Sequence, residues 1–282
     1  AEAGSYGLVG GEKTGEKQAL DVLTNVYVPD MHIDSPGEDG EITATCGAIQ
    51  ELDLGGNAIE SWPPVLKIAS QLPKLHWLGL DRLPLAPVTT LPDGFGVAMG
   101  GLHTLCVSGT GMAWEQLLLL ASAMPLLEEV YFGSNKVSTL HTAGAAGGSA
   151  TALLPATVLP KVHSLNLEGN VLSRWEDVEP LGAMPALQLL NLNFNQLQAV
   201  PPPPPPPTDG SRPPFHTLRH LMLRGNPIDS WATVDALDAY PALTQARLAE
   251  LPLTSAISGA AARRLIIARI ARLISLNGSE VR

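Results

Sequence analysis

The stretch VHSLNLEGNVL, Val162 to Leu172, decides the fold. Val162, Leu165, Leu167 and Leu172 are apolar and Asn170 is an amide, which writes the frame LxxLxLxxNxL. Outward from this stretch the frame recurs with first positions at Leu23, Ile49, Leu75, Leu102, Leu127, Val162, Leu187, Leu218 and Leu243. The spacings are 26, 26, 27, 25, 35, 25, 31 and 25 residues. A near-constant period of this length marks a repeat solenoid, in which each unit buries its apolar face only against its neighbours. The 282-residue length alone would suggest about two globular domains, and the repeat overrides that reading.

Within a unit, positions 1, 4 and 6 point inward, and the alternation of 4 and 6 is the mark of a short strand. Stacked units then form one curved parallel sheet. Position 9 is Asn57, Asn135, Asn170, Asn195 and Asn226 in five units. A buried amide is tolerated only when hydrogen-bonded, so these asparagines are expected to form a structural ladder between repeats. Met31, Leu83, Thr110 and Leu251 replace it elsewhere, where the ladder should weaken.

The return leg reads as helical. Trp62, Trp175 and Trp231 lie 13 residues after their unit starts and Trp114 lies 12 after, each opening apolar residues at helical spacing. Such registered tryptophans pack under convex helices. Ser173 with Glu176 reads as a capping box, and Ser230 or Asp229 as an N-cap. Pro73, Pro125, Pro160, Pro185 and Pro241 stand two residues before the next unit, where a proline ends the helix and returns the chain to the strand.

The expected architecture is therefore α/β: a leucine-rich repeat solenoid with a concave parallel sheet, convex helices and a C-terminal helical cap. Residues 1–22 form an N-terminal flank or cap, 23–260 about nine repeats, and 261–282 the C-terminal cap. The long spacings hold insertions at 142–152, rich in small residues, and at 201–214, which carries seven consecutive prolines. The proline run favours polyproline II; it reads first as a surface insertion that the stacking tolerates, and otherwise as a ligand for an SH3, WW or profilin-like partner. In the last segment Leu265, Ile266, Ile270 and Leu273 recur at helical spacing outside the frame. Asn277–Gly278 is a helix or turn stop, and the arginines are read as solvating the outer face of the cap.

Net charge is −10, which argues against a binder of duplex nucleic acid. Residues 1–60 hold 12 acidic side chains against 2 lysines, whereas 261–282 holds five arginines and one acid. Cys46 and Cys106 make no disulfide framework, which favours a reducing compartment. No signal-peptide pattern is visible, and no apolar run reaches the roughly 18 residues of a membrane span. No HExxH, CxxC, GxGxxG, Walker A or GxSxG motif is present, so no catalytic residue, metal ligand or cofactor is assigned and the chain is read as a non-enzyme.

Binding is expected on the concave face, at strand positions 3, 5 and 7. That face runs from acidic and aromatic (Glu51, Asp53, Trp77, Asp81, Glu129, Tyr131) to basic (Arg219, His220, Arg224, Arg247). Trp77 is the one tryptophan out of the convex register, and an aromatic beside arginine is a common hot-spot composition. Arg224 is expected to be free to engage an acidic partner, so that Arg224→Glu would leave stability nearly unchanged.

Particular residues carry a family resemblance. GNAIESW at 56–62, GNVLSRWEDV at 169–178 and GNPIDSW at 225–231 punctuate the repeats, and ARRLIIARIARLISLNGSEV closes the chain at 262–281. Over roughly residues 20–282 the chain resembles the leucine-rich domain of tubulin-folding cofactor E. The resemblance implies a cytoplasmic, cytoskeleton-associated tubulin chaperone, with α-tubulin, the αβ-tubulin heterodimer and other tubulin-folding cofactors as partners and neither nucleic acid nor membrane among them. It also implies a CAP-Gly domain before the repeats and a ubiquitin-like domain after them. A CAP-Gly domain does not fit ahead of Leu23, despite Gly4, Gly7, Gly10 and Gly11, so the chain reads as an excised middle domain or one without those flanks. The competing reading is a leucine-rich regulatory scaffold, such as a phosphatase-targeting subunit.

Overall fold

The computed structural model describes residues 20–141, 153–205 and 212–281. The insertion 142–152, residues 206–211 of the proline insertion, the N-terminal glycines and Arg282 lie outside the described residues.

Each frame unit places a three-residue strand at its positions 3, 4 and 5. The strands are β1 (Asn25–Tyr27), β2 (Glu51–Asp53), β3 (Trp77–Gly79), β4 (Thr104–Cys106), β5 (Glu129–Tyr131), β6 (Ser164–Asn166), β7 (Leu189–Asn191), β8 (His220–Met222) and β9 (Gln245–Arg247). Neighbours pair in parallel, with position 4 always opposite position 4: Val26, Leu52, Leu78, Leu105, Val130, Leu165, Leu190, Leu221 and Ala246. A slip of one residue would turn that apolar row out to solvent, so burial of one face fixes the register. Inward positions from Ile49 to Leu276 join one continuous core.

Position 8 carries a constraint that the frame does not show. Its residues alternate non-glycine and glycine through all nine units: Asp30, Gly56, Arg82, Gly109, Ser134, Gly169, Phe194, Gly225 and Glu250. Every one is left-handed, with φ between 52° and 70°. That conformation costs a non-glycine residue roughly 1–2 kcal/mol. It persists because it aims the backbone N–H at the next repeat, as in Arg82 N–H to Ser108 O at 2.8 Å and Phe194 N–H to Arg224 O at 2.7 Å.

The convex side is less regular than the sequence suggests. Helices α1 (Glu41–Cys46), α2 (Trp62–Ala69), α3 (Phe95–Met99), α4 (Trp114–Ala121), α5 (Pro155–Val158), α6 (Trp231–Leu237) and α7 (Gly259–Arg269) form. The leg after Trp175 is instead two 3-10 turns, Trp175–Asp177 and Glu179–Ala183. Pro180 lacks the N–H an α-helix would need there and crowds the preceding turn. The Ser173–Glu176 capping box does not form: Arg174 takes the N-cap place without a capping bond and pairs with Asp177 at 3.2 Å. Ser230 does cap α6, its Oγ accepting the Ala232 N–H at 3.2 Å.

Trp62, Trp114 and Trp175 are buried, and each meets an aromatic neighbour, Phe95, Phe132 and Phe215 respectively, at 5.5–5.8 Å between ring centroids. Trp231 differs: it is half-buried and carries the Arg269 guanidinium 5.1 Å above its ring.

The last segment rejoins the sheet. Leu273 and Leu276 are buried, and β10 (Ser275–Leu276) runs parallel to β9 with Leu276 opposite Ala246, continuing the position-4 row. Asn277 and Gly278 both have positive φ and turn the chain into β11 (Ser279–Glu280), antiparallel to β10. Two left-handed residues are what a tight hairpin requires. Asn277 Oδ1 accepts the Leu248 N–H at 2.7 Å, where a further repeat would offer a carbonyl. Arg263 is not a solvating residue: its guanidinium donates to the carbonyls of Leu276, Ser279 and Glu280 and fastens α7 to the hairpin.

Candidate protein-binding face

Parallel strands about 4.8 Å apart bring like frame positions of successive repeats side by side. At position 9 the side-chain amides bond back to the preceding repeat and to their own strand exit. Asn170 Oδ1 accepts the N–H groups of Asn135 and Val137 at 3.0 and 3.1 Å, and its Nδ2 donates to Phe132 O and Leu167 O at 3.0 Å each. Asn57, Asn135, Asn195 and Asn226 are buried in the same way, each bonded to the preceding repeat. Thr110 stands in at its position, its hydroxyl donating to Val107 O at 3.0 Å.

A second set of bonds runs along the concave side and involves residues expected to bind a partner. The Asp53 carboxylate accepts the Gly55 N–H at 2.8 Å, and Asn166 and Asn191 make the same bond in their repeats. Asp81 accepts the Ser108 N–H of the next repeat at 2.6 Å, just as Asn193 accepts that of Arg224 at 2.9 Å. These side chains satisfy backbone donors at the strand exits, so Asp53 and Asp81 hold the face together as well as lining it.

The acidic and aromatic end is brought together. The Tyr27 hydroxyl and the Asn25 amide both donate to the Glu51 carboxylate. Tyr27 meets Trp77 edge to face at 6.1 Å. Trp77 folds over Gly79, where a Cβ would come within 2.9 Å of its ring. Beyond them the Tyr131 hydroxyl donates to Glu129 at 3.3 Å. Burial raises the Asp81 carboxyl above its ordinary range, and Tyr131 is raised by burial and by Glu129. Cys106 is buried beside Asp81, Asp53 and Glu129, and burial and those carboxylates push its thiol far up. A thiol so placed is not a nucleophile.

The basic end is less free than expected. Arg224 pairs with Glu250 and stacks on the Phe194 ring, 5.1 Å from its centroid, so its charge is committed within the molecule. Glu250 is held below its ordinary range by this pairing. Burial, then Arg247, lowers the His220 pKa, which leaves that imidazole neutral near pH 7. Arg247 is exposed on β9, and Arg219 is exposed just ahead of β8, outside the strand positions. Neither makes an ion pair among the described residues.

The sequence frame missed the position-8 rim, which borders the face. Asp30 and Arg82 meet at 2.9 Å across Gly56, and Phe194 lies over Gly225, where a Cβ would sit 2.4 Å from its ring. The glycine in every second unit was the available signal, since it opens room for side chains two repeats apart to extend. Among the described residues no cluster could hold a metal ion, and no helix is long and apolar enough to cross a membrane.

No protein-family model matches the chain. It is similar to curated proteins over nearly its whole length. It is 29% identical over 282 residues to the tubulin-folding cofactor E of Arabidopsis thaliana, covering 99% of this chain and 51% of that protein. It is 29% identical to the human tubulin-specific chaperone cofactor E-like protein, covering 94% and 59%, and 28% identical to the tubulin-specific chaperone E of Danio rerio, covering 97% and 50%. The chain thus spans about half the length of the curated relatives it matches. Among solved structures, the leucine-rich repeat domain of APL1B aligns with a TM-score of 0.52 at 22% identity, covering 94% of this chain and 63% of that one. A leucine-rich repeat protein of Leptospira interrogans aligns with a TM-score of 0.53 at 20% identity, covering 92% and 61%. These place the fold among leucine-rich repeat solenoids.

Proposed function

We propose that this chain is the partner-binding, non-catalytic repeat portion of a tubulin chaperone, acting on α-tubulin as the αβ-tubulin heterodimer is assembled or taken apart. The observation that carries this reading is the match along nearly all of its length to proteins named as tubulin-folding cofactors and tubulin-specific chaperones. In this reading residues 23–260 are the binding array, 261–282 its cap, other tubulin-folding cofactors act alongside, and the setting is the cytoplasm near the cytoskeleton. Two free cysteines suit a reducing compartment.

The concave face is the proposed contact surface. Its strands form a rigid platform, and its side chains divide into two classes. Asp53, Asp81 and Arg224 are engaged within the molecule, so they shape and charge the surface without being free to rearrange. Trp77, Tyr131, Glu129, Arg247 and Arg219 have surface left to offer. An aromatic flanked by carboxylates suits a basic or apolar side chain of the partner, and Arg247 with Arg219 suits an acidic one, so the two ends fix the orientation in which a partner docks. Asp53 and Asp81 are bound to backbone N–H groups, and Glu51 and Glu129 accept from tyrosine hydroxyls, which supports a binding role over a catalytic one.

The test is a titration of the chain against purified αβ-tubulin, with an isolated phosphatase catalytic subunit in parallel. Saturable tubulin binding that Trp77→Ala or Arg247→Glu weakens is the expected result. Binding to the phosphatase alone would select the regulatory-scaffold reading, and absence of tubulin binding by the folded chain would remove this repeat array as the contact.

A further inference from the structure

Seven consecutive prolines, Pro201 to Pro207, lie in the connection from β7 to β8. Each residue from Val200 to Pro205 precedes a proline, which disfavours the helical region, and the ring fixes φ of each proline near about −65°. Over Pro201–Pro205 this backbone restriction favours the polyproline II form, with three residues per turn and no internal hydrogen bonds. Burial follows that period. Val200 is buried and Pro203 half-buried, whereas Pro201, Pro202, Pro204 and Pro205 are exposed. Every third side chain faces the solenoid. The others form two outward ridges, Pro201 with Pro204 and Pro202 with Pro205.

The run is anchored at its start. The Val200 N–H donates to Thr233 Oγ1 at 3.3 Å, and Pro201 O accepts the Tyr240 hydroxyl at 3.1 Å. Tyr240 is itself clamped between Trp175 and Phe215, at 6.3 and 6.0 Å between centroids. No helix covers this return leg among the described residues. Open space flanks the prolines on both sides: a cleft of about 500 Å³ bounded by Pro201, Pro202, Arg174 and Thr233, and another of about 440 Å³ bounded by Pro203, Pro204, Phe215 and Tyr240. The prolines stand as a rib on the convex side, remote from the concave face.

We propose that Pro201–Pro205 is a docking rib for a second partner, a small domain with an aromatic-lined groove of the SH3 type. Such grooves read proline residues i and i+3 on one ridge and the neighbouring ridge beside it, which is the pattern the rib exposes. Because the rib is already ordered, little conformational entropy is lost on docking. This proposal is independent of the tubulin reading, since the two surfaces lie on opposite sides of the sheet.

The experiment titrates the whole chain, by calorimetry, with an isolated SH3 domain and, separately, an isolated WW domain. Three forms are compared: the unmodified chain, the double variant Pro201→Ala/Pro204→Ala, and Pro203→Ala, with circular dichroism to establish that each is folded. The expected result is saturable micromolar binding of the SH3 domain, weakened on the order of tenfold by the double variant and less than about threefold by Pro203→Ala. No saturable binding of the SH3 domain to the folded chain overturns the proposal, as does binding that the double variant leaves unchanged. Binding of the WW domain alone overturns the SH3-type assignment.

Discussion

The Arg82 guanidinium reaches the Asp30 carboxylate at 2.9 Å by passing over Gly56, joining repeats one and three across the repeat between them. A Cβ at position 56 would lie 2.0 Å from Asp30 Oδ1, and Gly56 has φ +67°. Both partners are exposed, so the ion pair itself contributes little, within about 0–1 kcal/mol. The glycine matters more than the pair it accommodates. Gly56→Ala is expected to lower stability by about 1–3 kcal/mol in urea unfolding, through left-handed strain and displacement of Asp30. Asp30→Ala should cost less than about 1 kcal/mol. Equal effects would mean that the glycine alternation along this rim has no steric basis.

Asn170 accepts two backbone N–H groups and donates to two carbonyls while 3% exposed. Asn170→Ala orphans buried groups in two repeats, and a loss of at least about 1–3 kcal/mol is expected from equilibrium unfolding. A variant as stable as the parent would show that water replaces the amide.

Burial holds the Asp81 carboxyl above its ordinary range, against the opposing Ser108 N–H. A folded-state pKa above the unfolded one gives a contribution that is present in acid and lost as pH rises through the raised value. At pH 7 the ionised group is therefore a net cost. Asn193 fills the same frame position as a neutral amide and accepts the corresponding N–H. Asp81→Asn should raise the urea midpoint at pH 7, and the gain should shrink as pH falls toward the unfolded value of about 3.9. A gain independent of pH would point to a cause other than this carboxylate's ionisation.

Arg224 and Arg247 are both basic residues of the concave face, yet they should respond differently to reversal of charge. Arg224→Glu breaks the pairing with Glu250 and the stacking on Phe194, and sets a carboxylate near Glu250 and Glu168. Its thermal midpoint should fall. Arg247→Glu changes an exposed side chain and should leave the midpoint in place while weakening tubulin binding, with a smaller salt dependence. Identical melting of both variants would show that the Arg224 contacts add nothing to the fold.

The repeat frame, the strand positions, the inward apolar rows and the asparagine at position 9 are all legible along the chain because each is written locally and repeated. A strand of three residues needs only the apolar–polar alternation around position 4, and the same spacing in the next unit supplies its partner. The sequence by itself therefore determined a parallel solenoid, its register and which face each position takes. Tertiary structure decided what those positions meet. Arg224 finds Glu250 from the following repeat and Asp30 finds Arg82 from two repeats on, pairings that depend on side-chain reach across the stack. It also turned the leg after Trp175 into 3-10 turns, where Pro180 removes a donor, and drew Leu276 into a tenth parallel strand, where the open sheet edge beside β9 offered unpaired backbone groups. Those outcomes rest on contacts between segments, and a period read along one chain does not contain them.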